Sequence, residues 1–216
     1  KLFNMEQTLT NSIERYPLEL TVFKTKNYQP QPHFRNTIRW DHFTIHTPLW
    51  NNVLNHFFKD SKDLKFLELG SGNGLCANYL LDNFPCYLDT VDMEEVRIIE
   101  EEGKKYEIST PKNLQPFIDQ NRCNFHLMNT KTYLLSNQDK KYDFIYIDAS
   151  HEKDWVLFDA INSFSLLKEG GLMIFDDYGW GECNIGIDSF LTCYQDNIEI
   201  FYKGYQVMLI KRSNLK

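Results

Sequence analysis

The sequence predicts an α/β fold: a doubly wound, mostly parallel seven-stranded sheet with an antiparallel C-terminal strand pair and an N-terminal cap. Three observations lead to this prediction. From residue 64 onward, short runs of β-branched and aromatic residues alternate with segments of helical periodicity. Short Gly-rich turns join them, which is typical of parallel sheets covered on both faces. The last two apolar runs are separated only by a turn at Gly204, which indicates an antiparallel pair.

The first element is an aromatic-rich cap or lid segment at residues 1–60, and residues 61–216 are predicted to form the main domain. The cap is expected to end in a helix, with Thr47 as the N-cap and Pro48 as the first helical residue. Apolar residues then follow at helical spacing, namely Leu49, Trp50, Val53, Leu54 and Phe57. The segment is interpreted either as a lid over the site or as the arm of a homodimer.

The main domain follows as a regular series of elements. Its strands are rich in β-branched and aromatic residues, and they are predicted at 65–69, 86–92, 123–128, 142–148, 172–177, 198–204 and 205–212. Its helices combine apolar periodicity with charged residues, and they are predicted at 75–84, 94–106, 131–137, 155–167 and 185–194. A proline-containing loop is expected between the helix at 94–106 and the strand at 123–128.

The composition excludes several classes of protein. At 216 residues and 42% hydrophobic content, the chain is long enough for one domain with a sizeable core. The net charge of −7 and the lack of a long Lys/Arg run disfavour nucleic acid as a partner. No apolar run reaches the length of a membrane span, no signal-peptide pattern is present, and the five cysteines are scattered singly. A soluble, cytoplasmic protein with reduced thiols and no membrane partner is expected.

The first chemical motif is "FLELGSGNG", which places Gly70, Gly72 and Gly74 between the first strand and its helix. Only glycine lets the backbone turn this tightly and approach a ligand, and the loop lies where a strand meets a helix N-terminus. Asp92 ends the second strand, 22 residues after Gly70, where a carboxylate can accept both hydroxyls of a ribose. The alternative is a purely structural turn. No Gly-Lys-Ser/Thr follows the glycines, so this is not a P-loop.

The alternating G-x-G-x-G after Glu68 resembles motif I of the class I S-adenosylmethionine-dependent methyltransferases, and the resemblance extends over residues 64–211. It implies a Rossmann-like methyltransferase fold with S-adenosylmethionine as the cofactor. By the resemblance, Glu68 and the loop hold the methionine end, Asp92 the ribose, Met93 an adenine face and Asn129 the adenine edge. The cofactor-binding residues implied are Glu68, Gly70, Ser71, Gly72, Asn73, Gly74, Asp92, Met93 and Asn129.

A second motif consists of carboxylates at the ends of two later strands. Asp148 ends "YDFIYID", and Asp176 and Asp177 end "LMIFDD". Because the carboxyl ends of neighbouring parallel strands face one crevice, these side chains are expected to converge there. They would repel one another unless a cation lay between them, and oxygen ligands of this kind suit Mg²⁺ or another divalent cation. The alternative is that Asp148 and Asp176 only cap the following helices or turns.

The segments "IDASHEKDW" and "LKEGGLMIFDDYGWG" resemble the metal-dependent small-molecule O-methyltransferases of the catechol, caffeoyl-CoA and macrolide-sugar types. The resemblance implies a metal held by Asp148, Asp176 and Asp177, with Asp148 and His151 in the catalytic centre. His151, three residues after Asp148, corresponds to the general base, and a histidine is suited to this role near neutral pH.

The expected function is therefore Mg²⁺-dependent O-methylation of a small hydroxylated molecule, a sugar or a diol, with a sugar or glycan precursor favoured. Catechol-like acceptors and a non-catalytic module that only binds cofactor or a partner are the alternatives. Methylation of bases is disfavoured because "IDAS" replaces the Asn/Asp-Pro-Pro-Tyr/Phe motif of such enzymes. A dehydrogenase is disfavoured by the alternating glycines. Tyr178 and Trp180 are further lid candidates.

Overall fold

A computed structural model describes residues 28–29, 41–101 and 103–213 of the chain. The strands are β1 (Leu64–Leu69), β2 (Cys86–Asp92), β3 (Val96–Glu101), β4 (Lys104–Ser109), β5 (Cys123–Leu127), β6 (Tyr142–Ile147), β7 (Leu167–Phe175), β8 (Ile198–Lys203) and β9 (Val207–Lys211). The helices are α1 (Thr47–Phe58), α2 (Leu75–Asn83), α3 (Thr110–Asp119), α4 (Thr130–Ser136), α5 (Lys153–Leu166) and α6 (Cys183–Tyr194). None of the helices in these ranges is both long and apolar enough to cross a membrane.

Seven strands form one mixed sheet in the order β5-β2-β1-β6-β7-β9-β8, and β3 and β4 form a separate two-stranded sheet. β6 runs parallel to β1 and β7, and β2 runs parallel to β5, whereas β9 runs antiparallel to β7 and β8. The predicted fold class, a mostly parallel sheet with an antiparallel C-terminal pair, is confirmed. By their contacts, the described residues fall into two units: residues 65–70 and 129–213 form the first, and the remainder form the second.

In the first unit, strand register aligns the carboxyl ends of β1, β6 and β7. Leu69 pairs with Ile147, and Ile147 pairs with Phe175. These strands are almost entirely buried, which explains their continuous runs of apolar residues. The hydrogen bonds continue one residue further, from Asp148 N to Leu69 O at 2.8 Å and from Asp176 N to Ile147 O at 3.0 Å. The polar residues that follow the three strands are therefore neighbours.

In the second unit, an aromatic cluster packs α1 on α2. The rings of Phe43 and Trp50 meet edge to face at a centroid distance of 4.9 Å, and both approach Tyr79 of α2. Tyr79 also donates its hydroxyl proton to Asn51 Oδ1 at 2.8 Å. Helix α1 begins one residue earlier than predicted, at Thr47, with His46 instead of Thr47 at the N-cap. The rest of the predicted cap, residues 1–27 and 30–40, lies outside the described residues, so its boundary and its role as a lid or dimer arm stay predictions.

The predicted helix at 94–106 is wrong, because these residues form the β3–β4 hairpin. The β-branched residues of β3 favour a strand, and Gly103 adopts a φ of 73° at the turn. Strand pairing also sets Glu100 opposite Lys105, so opposite charges face each other across the hairpin.

The predicted loop after this segment contains helix α3. Its N-terminal signal is local and was overlooked in the sequence: Ser109 is the N-cap, its Oγ accepts from Lys112 N at 3.5 Å, and Pro111 lies in the first turn. Ser followed closely by Pro is typical of a helix start. The helix matters for the site because Thr110 and Asn113 hold the glycine loop, as described below.

Helix α5 carries a buried carboxylate that lacks a strong partner. Asp159 is 1% exposed, and Ser163 lies one turn later on the same buried face. Neither Asp159 Oδ1 nor Ser163 Oγ has a hydrogen-bond partner within the described ranges. Burial raises the pKa of Asp159 from its ordinary value of 3.8 to about 7, against an opposing hydrogen bond with the Thr130 side chain. The folded state therefore favours protonated Asp159.

Replacing Asp159 with Asn is expected to flatten the dependence of stability on pH. In the wild type the stabilising contribution of protonated Asp159 is fully present below pH 3.8 and is lost as pH rises through about 7. Between these two pH values, the unfolding free energy falls by about 1.4 kcal/mol for each pH unit. Urea unfolding of both proteins between pH 5 and pH 8 measures the difference. Ser163→Ala is the control, because it alters a neighbouring buried group that does not titrate, and it should retain the wild-type dependence of unfolding free energy on pH. The prediction would be contradicted if Asp159→Asn showed the same dependence on pH as the wild type.

Candidate active site

In the first unit, the residue after β1 must be glycine because the chain after β6 lies against it. A Cβ on Gly70 would lie 1.9 Å from Asp148 O and 2.9 Å from Ala149 Cα, and Gly70 has a φ of 95°. Both the contact and the left-handed conformation exclude other residues without a backbone shift. Gly70 thus lets the backbone of Asp148 come within contact distance of the end of β1.

Tyr146 organises the carboxylates at the ends of β6 and β7. Its hydroxyl donates to Asp176 Oδ2 at 2.7 Å and lies 3.3 Å from Asp148 Oδ2. Gln206 Nε2 donates to the other oxygen, Asp176 Oδ1, at 3.1 Å. These contacts fix Asp176 through both oxygens, and each oxygen keeps a second lone pair.

Asp177 lies beside the histidine that follows β6. His151 Nε2 is 2.8 Å from Asp177 Oδ2, and the hydroxyl of Tyr205 donates to Asp177 Oδ1. Asp177 has a φ of 54°, a conformation that Asp tolerates better than most residues and that often occurs at functional sites. On its outer side, the His151 ring stacks on Trp180 at a centroid distance of 5.5 Å and an angle of 14°. His151 is thereby held in place by one carboxylate and one aromatic face.

These side chains form a group that fits a metal ion. Asp148, His151 and Asp177 each offer a ligand atom, and these atoms all lie within 4.8 Å of one another. Burial raises the pKa of Asp148 well above its ordinary value, and the charges of Asp176, Asp177 and Glu68 raise it further. A cation at this position would relieve that repulsion, and carboxylate oxygens are suitable ligands for Mg²⁺.

Cys183 lines the same small cavity as Asp148, His151 and Asp177. Burial, together with the charges of Asp177, Asp148 and Asp176, raises the pKa of the Cys183 thiol to about 11. At neutral pH, Cys183 therefore contributes a neutral wall to the cavity.

In the second unit, the glycine loop is attached to the carboxylate that ends β2. Gly72 and Gly74 have φ values of 54° and 82°. Gly72 N donates to Asp92 Oδ2 at 3.0 Å, and Glu94 N donates to Asp92 Oδ1 at 3.1 Å. Only 8% of the surface of Asp92 is exposed. Burial and these two hydrogen bonds hold its carboxylate in one position. A carboxylate held beside a glycine loop is the type of group that binds the ribose of a nucleoside, and here it also accepts a hydrogen bond from Arg97 Nη2 at 2.9 Å.

Helix α3 supports the loop through two residues that the sequence analysis missed. Thr110 Oγ1 donates to Gly72 O at 2.8 Å, and Asn113 Nδ2 donates to Asn73 O at 2.9 Å. Ser71 shares a hydrogen bond with the Thr90 hydroxyl on β2. The loop is therefore held on both sides, and the "STPKN" signal of the helix start was the feature that could have revealed it.

The other predicted cofactor residues have distinct environments. Met93 is exposed, as an adenine-facing side chain needs to be, and it follows Asp92 in the second unit. In the first unit, Asn129 is the N-cap of α4, and its Oδ1 accepts from Thr132 N at 2.8 Å. Glu68 is fully buried in β1, and its charge acts on Asp148. The role of each of these residues in cofactor binding stays a prediction.

In the first unit the structure brings two predicted metal ligands, Asp148 and Asp177, together with the predicted base His151. The third predicted ligand, Asp176, is outside this group and accepts hydrogen bonds from Tyr146 and Gln206. In the second unit the glycine loop is bonded to Asp92. Tyr146, Tyr205 and Gln206 were not predicted. The two tyrosines belong to segments that are typical of strands, and nothing in the pattern shows where their hydroxyls are directed. A groove of about 640 Å³, lined by residues such as Lys59, Tyr87 and Arg122, contains none of the predicted site residues.

Several solved structures share this fold. A candidate rRNA methylase from Clostridium thermocellum is 13% identical, with a TM-score of 0.59 over 77% of this chain and 96% of that protein. The MycE methyltransferase of the mycinamycin biosynthetic pathway, solved with Mg and S-adenosylhomocysteine, is 16% identical, with a TM-score of 0.59. The alignment covers 82% of this chain and 52% of MycE, so the chain spans about half the length of that protein. A candidate O-methyltransferase from Klebsiella pneumoniae is 12% identical, with a TM-score of 0.59 over 95% and 90% of the two chains.

At these identities the structural likeness establishes the fold alone. No curated protein matches the chain. Residues 67–178, just over half of the sequence, match the family described as "Methyltransferase domain". This range begins in β1, includes the glycine loop, Asp92 and the carboxylate cluster, and ends directly after Asp177. The chain therefore belongs to this methyltransferase family and is an S-adenosylmethionine-dependent methyltransferase.

Proposed function

We propose that the protein is a Mg²⁺-dependent O-methyltransferase that acts on a hydroxyl group of a small molecule. The observation that supports this most strongly is the cluster of Asp148, His151 and Asp177, whose ligand atoms lie within 4.8 Å of one another. A methyltransferase that needed only its cofactor would gain nothing from buried carboxylates that repel each other. A site for a divalent cation explains why they are placed together.

In this proposal Asp148, Asp176 and Asp177 would hold the metal, and Asp92 with residues 68–74 would hold the cofactor. When bound, S-adenosylmethionine supplies an electrophilic methyl group, and Mg²⁺ lowers the pKa of the acceptor hydroxyl and orients it. Tyr146 and Gln206 keep Asp176 in place, and Tyr205 does the same for Asp177. Such outer partners typically determine the orientation of the ligands.

His151 is the proposed general base. Its Nε2 lies 2.8 Å from Asp177 Oδ2, so the carboxylate accepts a hydrogen bond from Nε2–H and stabilises that tautomer. Nδ1 then carries the lone pair that would take the proton of the acceptor hydroxyl. Stacking on Trp180 restricts rotation of the imidazole ring.

A sugar or glycan precursor is the favoured acceptor, with other diols and catechol-like molecules as alternatives. The exposed face of Trp180, which is 56% accessible, lies beside His151 and offers a flat apolar surface to a hydroxylated ring. Further support is that MycE, which shares the fold, has been solved with Mg, S-adenosylhomocysteine and mycinamycin VI. Because the likeness covers about half of MycE, its activity only supports the proposal.

The proposal is tested by incubating the protein with S-adenosylmethionine, Mg²⁺ and a library of sugars, diols and catechols, followed by mass spectrometry. We expect an acceptor to gain one methyl group in place of a hydroxyl proton, and EDTA to suppress the reaction. Transfer that persists in EDTA would contradict the metal role. Cofactor binding without any transfer would favour the alternative of a non-catalytic module that binds cofactor or a partner.

A further inference from the structure

Arg97 lies on β3 of the hairpin, and its guanidinium occupies the space beside the ribose carboxylate proposed above. Arg97 Nη2 donates to Asp92 Oδ2 at 2.9 Å. A Cβ on Gly72 would lie 3.9 Å from Arg97 Nη1, which is the nearest atom outside Gly72 and its two chain neighbours. The guanidinium therefore covers both the carboxylate and the open face of the middle glycine of the loop.

The carboxylate of Asp92 has little capacity for additional donors. Oδ2 accepts from Gly72 N and Arg97 Nη2, and Oδ1 accepts from Glu94 N. An ionised carboxylate offers about four acceptor positions, so these bonds leave about one. The two hydroxyls of a ribose diol need two positions. At least one of the present donors must therefore leave Asp92 when a ribose binds through both hydroxyls.

Arg97 is the donor that can leave. Gly72 N belongs to a loop that Thr110 fixes through Gly72 O at 2.8 Å, and the chain around Glu94 is fixed by a bond from Thr110 N to Glu95 O at 3.0 Å. Arg97 reaches Asp92 through a long side chain that is 41% exposed. Glu94 Oε2 lies 3.2 Å from Arg97 Nε, so a second carboxylate can retain the guanidinium after it leaves Asp92.

We propose that Arg97 is an affinity-determining residue of the cofactor site, which occupies Asp92 in the free protein and must release it to the cofactor ribose. This inference rests on the proposed role of Asp92 in cofactor binding. The ion pair and the ribose compete for the same oxygen, so Arg97 lowers the affinity for any nucleoside that carries a 2′,3′-diol. The hairpin, which replaces the helix expected from the sequence, delivers this competing group.

The test is calorimetric titration of wild type and Arg97→Met with S-adenosylhomocysteine and with 5′-methylthioadenosine, a neutral nucleoside with the same ribose diol. Met preserves most of the length of the side chain and removes the donor and the charge. Arg97→Met is expected to bind both nucleosides about twofold to fivefold more tightly at low salt, the range set by the strength of exposed ion pairs. High salt should narrow the difference, because it screens the ion pair in the wild type.

Lys112→Met is the matched control. Lys112 Nζ lies 3.4 Å from Glu107 Oε1, next to the same hairpin, and its replacement removes one positive charge without touching Asp92. It should leave both affinities unchanged, and Arg97→Lys should fall between wild type and Arg97→Met. Equal or weaker binding by Arg97→Met, with the wild type binding normally, would overturn the role of Arg97 and leave the proposed function intact. Failure of the wild type to bind either nucleoside would overturn both.

Discussion

Asp148→Asn is expected to abolish Mg²⁺-dependent methyl transfer and to leave the affinity for S-adenosylhomocysteine nearly unchanged. Asn preserves the shape of the side chain but removes the charge of a carboxylate at the centre of the metal group. Loss of even an outer partner of a metal site commonly lowers affinity by about 10- to 100-fold, and loss of a ligand should do at least as much. Mg²⁺ affinity measured by calorimetry, and transfer rate measured by mass spectrometry, should fall together.

The thermal stability of the metal-free protein, in contrast, should be retained or increased by Asp148→Asn. Because burial and neighbouring charges raise the pKa of Asp148, its ionised form is unfavourable in the folded state without a cation. A neutral Asn removes that repulsion, so the metal-free variant should unfold at the same temperature as the wild type or a higher one. Loss of activity with retained or increased stability identifies a ligand rather than a structural residue.

Asp143→Asn is the control for this experiment. Asp143 lies on the same strand, β6, and pairs with Lys168 at 2.7 Å, outside the carboxylate group. Its replacement should preserve both Mg²⁺ affinity and transfer. Full Mg²⁺-stimulated activity in Asp148→Asn would rule out the metal role proposed for Asp148.

His151→Ala is expected to slow methyl transfer by roughly 10²- to 10⁴-fold, the usual contribution of a general base. If His151 acts only as the base, Mg²⁺ affinity should remain near the wild-type value, because Mg²⁺ prefers the oxygen ligands that are still present. The pH dependence of the residual rate should also lose the limb that reports the base. The measurements are the single-turnover rate across pH and a parallel Mg²⁺ titration.

His126→Ala provides a matched histidine control. His126 Nε2 lies 2.8 Å from Asp89 Oδ1, the same distance as in the His151–Asp177 pair, but it belongs to β5 of the other unit. Its replacement should not affect the transfer rate. An unchanged transfer rate in His151→Ala would exclude a catalytic role for His151. A large loss of metal affinity in the same variant would instead identify His151 as a metal ligand. That result would favour a metal such as Mn²⁺ or Zn²⁺ over Mg²⁺.

The sequence could predict those parts of the structure in which a sequence pattern is compatible with only one local arrangement. Buried strands that end in Asp148 and Asp176 must place these carboxylates at one edge of a parallel sheet, and the observed register does so. Gly70 was predicted for its conformational freedom, and the structure adds a second reason, the approach of the Asp148 backbone. Sequence patterns and the geometry of parallel sheets are therefore sufficient to predict which strand ends carry the carboxylates and where a glycine is required.

The secondary-structure prediction was wrong where the same residues are compatible with both a helix and a strand. The segment 94–106 combines helix-forming Glu and Lys with β-branched Val and Ile, and its Glu and Lys residues can pair in a helix as well as across a hairpin. The chain forms the hairpin, in which Gly103 occupies the turn with a φ of 73°. The contacts of Tyr146 and Arg97 depend on the directions of single side chains, which periodicity does not encode. For this reason, the residues that hold the carboxylates and the guanidinium beside Asp92 could only be found in the structure.

The central claim is that this methyltransferase binds its cofactor through the glycine loop and Asp92, and that a metal at the separate carboxylate group serves the acceptor. The most direct test is a calorimetric titration of S-adenosylhomocysteine into the wild-type protein, once with Mg²⁺ and once with EDTA. The account predicts micromolar binding under both conditions, because the metal does not hold the cofactor. Absence of binding in both would contradict the claim and would reduce the glycine loop to a structural turn.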